Sequence, residues 1–274
     1  MKKKIICAIL TLVMIICAVC PIAYADTEDA LQIQSKSVLL MELESGTVLY
    51  EKNADEMLRP ASVTKVMTLL LIFEALERGD IALDDTVVVT EHAASMGGSQ
   101  CFFEAGEEQT VQDMIKCIEV ASGNDAAVAM AEHLAGSEAA FVQKMNERAK
   151  ELGMEHTHFD NACGLEVETH LTSARDIAIM SRQLLLYHPD ILTYSTIWMD
   201  SITHKTRRGE SRFDLANTNK FLNLFLIRKW FLFAQHYSST AGCIGTIVSG
   251  IVHLCFHYQI FITAHFFHSP ISQL

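Results

Sequence analysis

The chain has 274 residues, of which 50% are hydrophobic, and this is enough for one large domain or two small ones. Between residues 26 and 220 it carries 33 acidic and 16 basic side chains. A surface with this excess of negative charge repels nucleic acid and anionic lipid, so we predict no nucleic-acid partner.

The first 25 residues are typical of a secretory signal peptide. Three lysines at positions 2–4 precede an apolar stretch, and the small-residue pattern Ala23-Tyr24-Ala25 stands directly before Asp26. An uncleaved membrane anchor is the alternative, but Pro21 and the small residues favour cleavage. We predict that residues 1–25 are removed and that the mature protein is exported to the cell envelope.

Removal of the signal peptide leaves five of the eight cysteines. An odd number without tight spacing argues against a disulfide framework, and no Cys-x-x-Cys pair remains that could bind zinc. We therefore predict no structural metal and no cofactor. The five are Cys101, Cys117, Cys163, Cys243 and Cys255.

The N-terminal part of the mature chain predicts strands followed by a buried helix. Residues 37–52 indicate two strands joined by a turn at Ser45-Gly46. A helix is predicted from Pro60 to Gly79, and its apolar run at residues 66–73 places it centrally in the core. The segment 85–93 predicts a further short strand.

Three more helical regions follow. Residues 110–136 predict two helices that break at residues 122–124, where Gly123 is expected to form a left-handed C-cap. Residues 137–153 present Phe141, Met145, Ala149 and Leu152 on one face. A capping-box pattern at Ser173 opens a helix that ends before Pro189. Strands first and helices afterwards favour an α+β fold.

Ser62 and Lys65 lie at the start of the predicted central helix. Helical spacing puts both on the face of Val66, Leu69 and Phe73, which must be buried. A buried lysine loses hydration and its pKa falls, so the neutral amine can accept the proton of a nearby hydroxyl and activate it as a nucleophile. The alternative is a capped helix whose Lys65 extends back to water.

Residues 121–125, ASGND, supply a second serine and an amide at the interhelical break, although such a triplet is often only a cap and turn. With the Ser-x-x-Lys pattern, the chain resembles the low-molecular-mass penicillin-binding proteins, which are serine D-alanyl-D-alanine carboxypeptidases of the peptidase S11 type. The resemblance covers residues 35–222. It is carried by the segments SGTVLYEKNADEMLRPASVTKVMT, EHAASMGGSQCFFEAGEEQTVQDMIKCIEVASGNDAAVAMAEHLAG, MNERAKELGMEHTHFDNACGL, TSARDIA and ANTNKF.

The resemblance implies a β-lactamase/transpeptidase-like fold, with an antiparallel sheet flanked by helices. It implies that Ser62 is the acylated nucleophile, Lys65 its general base, Ser122 a proton relay and Asn124 the residue that holds the substrate amide. The backbone N–H of Ser62 would form half of an oxyanion hole. The expected substrate is a peptidoglycan stem peptide ending in D-Ala-D-Ala, and β-lactams are the expected inhibitors.

The chain departs from this family after Lys220. The family carries a Lys-Thr-Gly motif on an edge strand soon afterwards, and this sequence has none. Residues 230–274 contain no Asp, Glu, Lys or Arg. We interpret residues 26–222 as a partial carboxypeptidase domain and residues 223–274 as an atypical tail, either a frame-shifted remnant or a weak membrane span at 241–264. The sheet is expected to lack its last strands, to leave an edge uncovered, and to support little activity.

Two other functions remain open. Glu166 or Glu168 would activate a deacylating water if the protein were a class A-like β-lactamase, but the surrounding pattern matches only in part. The chain would alternatively be a membrane-tethered protein that binds muropeptides or penicillin without turnover. Release of D-alanine distinguishes this second alternative from the enzyme.

Overall fold

The computed structural model describes residues 33–207, 209–219 and 222, together with the strand 260–265. The predicted signal peptide of residues 1–25 lies outside the described residues, as does most of the predicted tail. The predicted cleavage and the origin of the tail therefore stay predictions.

The predicted N-terminal hairpin is present. Strands β1 (Ser37–Glu42) and β2 (Val48–Lys52) pair antiparallel, with Val38 opposite Lys52. Gly46 adopts φ +73° in the turn, a left-handed conformation that glycine reaches without steric cost.

The central helix begins one turn later than its pattern suggests. Residues Ala61–Thr64 form a 3₁₀ turn that continues directly into helix α1 (Lys65–Arg78). Helix α1 is buried on nearly all sides from Val66 to Phe73, as predicted. Gly79 ends it in a left-handed conformation, φ +72°.

Six further helices surround α1 or connect its neighbours within the described residues. Helix α4 is buried from Asn124 to Ala131, a stretch that is rich in alanine, whose small side chain allows close packing. Helix α6 begins at Ser173, whose hydroxyl accepts the N–H of Asp176 at 3.2 Å. The six are α2 (Glu91–Ala94), α3 (Val111–Ala121), α4 (Asn124–Ala135), α5 (Glu138–Glu151), α6 (Ala174–Tyr187) and α7 (Leu192–Ser195).

Two small antiparallel sheets lie outside the hairpin. Strands β3 (Thr86–Val88) and β4 (Glu108–Thr110) form one, and β5 (Met199–Thr206) and β6 (Gly209–Ala216) form the other. The β5–β6 hairpin, which was not predicted from the sequence, contacts the β3–β4 sheet through buried polar groups. His204 Nδ1 lies 2.8 Å from Glu107 Oε1, and Gln109 donates to the Thr203 carbonyl at 2.9 Å.

The tail contributes a strand to the N-terminal sheet. Strand β7 (Ile260–His265) pairs antiparallel with β1, with Leu39 opposite Thr263, so the strand order is β2-β1-β7. The expectation of an uncovered edge is therefore wrong for β1. The predicted membrane span at 241–264 ends inside β7, and its other residues lie outside the described part of the chain.

The observed architecture of antiparallel sheets and surrounding helices confirms the α+β prediction. No helix within the described ranges is both long and apolar enough to cross a membrane. Cys101, Cys117 and Cys163 are buried and are not joined in disulfides. Cys243 and Cys255 lie outside the described residues.

Candidate active site

The structure brings the side chains of Ser62 and Lys65 together. Ser62 lies in the 3₁₀ turn and Lys65 is the first residue of α1, so one helical turn separates them. The distance from Lys65 Nζ to Ser62 Oγ is 3.2 Å. Lys65 is only 3% exposed, so the alternative in which its amine extends to water is wrong.

Two shorter contacts orient the amine of Lys65. Nζ lies 2.6 Å from Asn124 Oδ1 and 2.8 Å from the carbonyl oxygen of Cys163. An ammonium has three protons for these three acceptors. A neutral amine has two, and when it donates them along the two shorter contacts its lone pair faces the Ser62 hydroxyl. The arrangement is therefore suited to proton transfer from Ser62.

The electrostatic surroundings favour the neutral amine. Burial lowers the pKa of Lys65 from 10.5 to about 8, while Cys163 and Asp125 oppose the shift. Desolvation dominates because the ammonium loses water that three protein acceptors replace only in part. At pH 7 a pKa of about 8 leaves about a tenth of Lys65 unprotonated, which is the state that a general base requires.

Asn124, the first residue of α4, connects Lys65 to the loop of residues 97–103. Its Nδ2 donates to the Gly97 carbonyl at 2.7 Å, and its backbone N–H donates to the Ser99 carbonyl at 2.8 Å. Gly98 has φ +82°, and a Cβ there would lie 2.8 Å from Asn124 Nδ2. Both polar atoms of the Asn124 side chain are engaged within the protein, so its contact with substrate stays a prediction.

Ser122 lies two residues before Asn124, at the end of α3. It is half-buried and takes the left-handed conformation itself, with φ 56°. Gly123 has φ −60°, so the prediction of a left-handed Gly123 is wrong. Glycine is needed there for space, because a Cβ would lie 3.0 Å from Asp125 Oδ1 and 3.1 Å from Cys101 Sγ. The hydrogen bonds described for residues 33–219 include none of the Ser122 hydroxyl, and its relay role stays a prediction.

Asp125 is a site residue that the sequence analysis missed. Its carboxylate is 1% exposed and accepts the backbone N–H of Cys101 at 2.9 and 3.0 Å and that of Phe103 at 3.4 Å. These bonds hold the loop on which the Gly97 carbonyl meets Asn124. Phe102, between the two donors, has φ 61° and is exposed. An aspartate beside a predicted turn gives no signal that distinguishes this role from an ordinary cap.

Residues 24–226 match the family described as Peptidase_S11, D-alanyl-D-alanine carboxypeptidase. The chain belongs to this family. It is 50% identical over 192 residues to D-alanyl-D-alanine carboxypeptidase DacF of Bacillus subtilis strain 168, a match that covers 70% of this chain and 48% of that protein. It is 38% identical over 173 residues to D-alanyl-D-alanine carboxypeptidase DacC of Escherichia coli K12, covering 60% and 43%. The chain thus spans about half the length of the curated relatives it matches.

Solved structures of peptidase S11 relatives show the same fold. Penicillin binding protein 6B from Escherichia coli superposes with a TM-score of 0.63 at 31% identity, covering 70% of this chain and 60% of that one. The D-alanyl-D-alanine carboxypeptidase DacD from Francisella tularensis gives a TM-score of 0.65 at 25% identity, covering 71% and 58%. The predicted family and its transpeptidase-like fold class are confirmed.

In this peptidase S11 chain two threonines at the start of α1 also bond to the segment of residues 160–170, which supplies the Cys163 carbonyl. Thr68 donates to the Ala162 carbonyl at 2.6 Å, and Thr64 Oγ1 lies 2.7 Å from His170 Nε2. His170 Nδ1 accepts the N–H of Asp160 at 2.9 Å, so Nε2 carries the proton and donates to Thr64. Burial lowers the pKa of His170 to about 4, which keeps the ring neutral. The sequence alone did not predict a site role for any of these residues.

The two glutamates proposed for a deacylating water lie at the surface. Glu166 forms an ion pair with Arg59, and its side chain is 73% exposed. Glu168 is also exposed. A general base of raised pKa gains its strength from partial burial, and Glu166 is not buried. The arrangement argues against the class A-like β-lactamase mechanism.

Within the described residues no cluster of three or more His, Cys, Asp or Glu side chains could hold a metal ion.

Proposed function

We propose that the chain is an exported serine-type D-Ala-D-Ala carboxypeptidase of the cell envelope that acts through a Ser62 acyl-enzyme. Its substrate is the peptidoglycan stem peptide that ends in D-Ala-D-Ala, and β-lactams acylate the same serine. The observation that carries the proposal is the buried Lys65 amine, which lies 3.2 Å from Ser62 Oγ and has two shorter contacts with Asn124 Oδ1 and the Cys163 carbonyl. The peptidase S11 family membership and the names of the relatives support it.

The proposed reaction has the following steps. Lys65 takes the proton of Ser62 as Oγ attacks the carbonyl between the two D-alanines. The backbone N–H of Ser62, near the start of a helical turn, stabilises the oxyanion that develops. Ser122 returns a proton to the leaving D-alanine, and water releases the acyl group. Asn124 keeps Lys65 oriented and holds the substrate amide.

Covalent labelling by a fluorescent penicillin tests the nucleophile. The protein of residues 26–274 should be labelled on Ser62, and Ser62→Ala should not be labelled. Lys65→Ala should acylate at least about 10²-fold more slowly, as expected when a general base is lost. Ser181→Ala, which removes a buried serine from α6, serves as a control for folding and should be labelled like the unchanged protein. Equal labelling of the unchanged protein and Ser62→Ala would contradict the proposal.

The second candidate, a non-catalytic muropeptide- or penicillin-binding protein, is favoured by the absence of Lys-Thr-Gly from the sequence. In the family, that motif supplies a cation for the substrate carboxylate and a second oxyanion donor. Loss of one oxyanion donor costs about 10²–10³ in rate. We expect D-alanine release from a stem pentapeptide to be slower by at least this factor than release by the same chain with a Lys-Thr-Gly strand fused after Leu222.

The two functions give different results in one assay. Slow release that disappears in Ser62→Ala identifies a weak carboxypeptidase. Peptide binding without any Ser62-dependent release identifies the binding protein. Rapid release by the unchanged chain would show that the Lys-Thr-Gly element is dispensable here.

A further inference from the structure

One side chain, Asn161, organises the backbone that faces Lys65. Its Oδ1 accepts three consecutive backbone N–H groups, those of Cys163 at 3.2 Å, Gly164 at 2.6 Å and Leu165 at 3.0 Å. Its Nδ2 donates to the carbonyl of Leu165 at 2.9 Å. Four hydrogen bonds from one amide thus fix the tight turn of residues 161–165, which we call the 161–165 turn.

The 161–165 turn packs directly on the backbone of the nucleophile. Gly164 has φ +88°, and a Cβ on it would lie 1.8 Å from the carbonyl oxygen of Ala61 and 3.0 Å from the backbone nitrogen of Ser62. Only a residue without a side chain fits against Ala61 in this position. Ala61 itself has φ 47°, a conformation that costs a non-glycine residue energy and that the surrounding contacts must hold.

The turn meets the active site at a second point, the carbonyl of Cys163. This oxygen lies 2.8 Å from Lys65 Nζ and takes one of the two protons that a neutral amine can donate. The Cys163 side chain points elsewhere, with Sγ 3.6 Å from Asn161 Oδ1. A displaced carbonyl would leave the amine held by Asn124 alone, free to turn its lone pair away from Ser62.

We propose that Asn161 is a positioning residue for Lys65: it holds the 161–165 turn against Ala61 and directs the Cys163 carbonyl at the amine. This inference rests on the proposed function, in which Lys65 is the base and Ser62 the nucleophile. Asn161 has no hydrogen bond with the side chain of Ser62 or Lys65. It acts through the backbone of the 161–165 turn. Lys65 is 3% exposed, and the contact of its amine with the turn contributes to this burial.

Loss of Asn161 has a defined electrostatic consequence. Without the carboxamide, three N–H groups of the turn need water as their acceptor, and the turn opens toward solvent. Hydration reduces the desolvation that lowers the pKa of Lys65, so this pKa rises. The other titratable groups that act on Lys65 are the Asp125 carboxylate from α4 and the Cys163 thiol. The substitution leaves both residues in place and removes only the 3.6 Å contact of this thiol with Asn161 Oδ1.

Asn146 provides a matched control in the same region. Its Oδ1 accepts the N–H of Phe159 at 2.9 Å, and its Nδ2 donates to the Phe159 carbonyl at 2.8 Å and to the Val142 carbonyl at 3.1 Å. Asn146 therefore fixes the connection between α5 and α6 by the same kind of hydrogen bonds as Asn161. Its partner there, Phe159, has no hydrogen bond with Lys65. Asn146→Ala should lower stability without affecting the amine.

The experiment compares the unchanged protein with Asn161→Ala and Asn146→Ala in two measurements. The first is an NMR titration of the ¹³Cε signal of Lys65, assigned with Lys65→Met, which needs no turnover. The second is the pH dependence of acylation by a fluorescent penicillin. Asn161→Ala should titrate at higher pH than the other two proteins. For each unit by which the pKa of Lys65 rises, acylation at pH 7 should fall about tenfold, because the neutral fraction falls by that factor.

The outcomes separate this inference from the proposed function. If Lys65 titrates at the same pH in Asn161→Ala as in Asn146→Ala, the positioning role is wrong, whatever the acylation rates. If the unchanged protein is not labelled on Ser62, the proposed function is wrong, and the NMR titration still decides the role of Asn161. If Asn161→Ala fails to fold, Gly164→Ala provides a second test. Its added Cβ displaces the turn from Ala61 while the Asn161 side chain is kept. We expect the same rise in the pKa of Lys65. An unshifted Lys65 in Gly164→Ala would then overturn the inference.

Discussion

Replacing Lys65 by methionine tests whether folding lowers the pKa of the buried Lys65 amine. The pKa of Lys65 falls from 10.5 to about 8 on folding, chiefly through burial. Between these two values the unfolded chain binds a proton that the folded protein does not, so the free energy of unfolding rises with pH in this window. At 1.36 kcal/mol per unit, the rise amounts to about 3 kcal/mol, and Lys65→Met should lack it.

The pH dependence is a better measure than stability at one pH. At pH 7, methionine removes the cost of the buried ammonium but leaves the acceptors on Asn124 and Cys163 without their donor, and the two effects have opposite signs. Urea unfolding followed by circular dichroism should be measured from pH 7 to pH 10 for both proteins. The difference between their curves isolates the titration of Lys65, because every other group is shared.

Lys116 supplies the control. Burial alone would lower its pKa, but contacts with Asp113 and Asp200 raise it above the ordinary value. It therefore stays mostly protonated in both states from pH 7 to pH 10, and the curve of Lys116→Met should run nearly parallel to that of the unchanged protein. If the curve of Lys65→Met is also parallel, the pKa of Lys65 is not lowered, and the reasoning that makes it a general base fails.

Three further predictions concern other parts of the chain. The pKa of His170 is lowered from 6.5 to about 4, so the free energy of unfolding should fall as the pH drops from 6.5 to 4. The fall is about 3 kcal/mol, and His170→Gln should show a smaller one in acid unfolding. Deleting residues 260–265 should accelerate hydrogen exchange of the β1 amides that face β7, while those that face β2 act as the internal control; uniform protection would contradict the pairing. N-terminal sequencing of exported protein should begin at Asp26, and a start at Met1 would show that the leader is retained.

The parts of the site that the sequence predicts are those set by local geometry. Three residues of spacing at a helix start suffice to bring Ser62 and Lys65 to one face, whatever the rest of the fold does. The end of α1 at Gly79 and the start of α6 at Ser173 are similarly local, since they depend on backbone freedom and on one hydroxyl. The central position of α1 follows from an apolar run that has no polar face.

The parts that could not be predicted depend on contacts between distant segments. The Cys163 carbonyl is a backbone atom, and any residue type would supply it, so no side chain in the sequence marks the position. Gly123 gave a misleading signal, because glycine is selected there by the proximity of Cys101 and Asp125 and not by its backbone angle. A short apolar run such as residues 260–265 fits a buried strand or part of a membrane helix equally well, and only its partner β1 decides between them.

Covering the edge of β1 and binding the substrate carboxylate are separate requirements, and β7 meets only the first. A strand beside β1 satisfies backbone groups through N–H and C=O alone, so almost any apolar sequence can provide it. Binding a substrate carboxylate requires a cation in a fixed position, and residues 260–265, IFITAH, include no lysine or arginine. The described residues therefore supply the proposed nucleophile, the proposed base and the backbone that orients them. We expect turnover to be limited by the stabilisation of charge on the substrate, and the activation of Ser62 to depend on the interactions around Lys65.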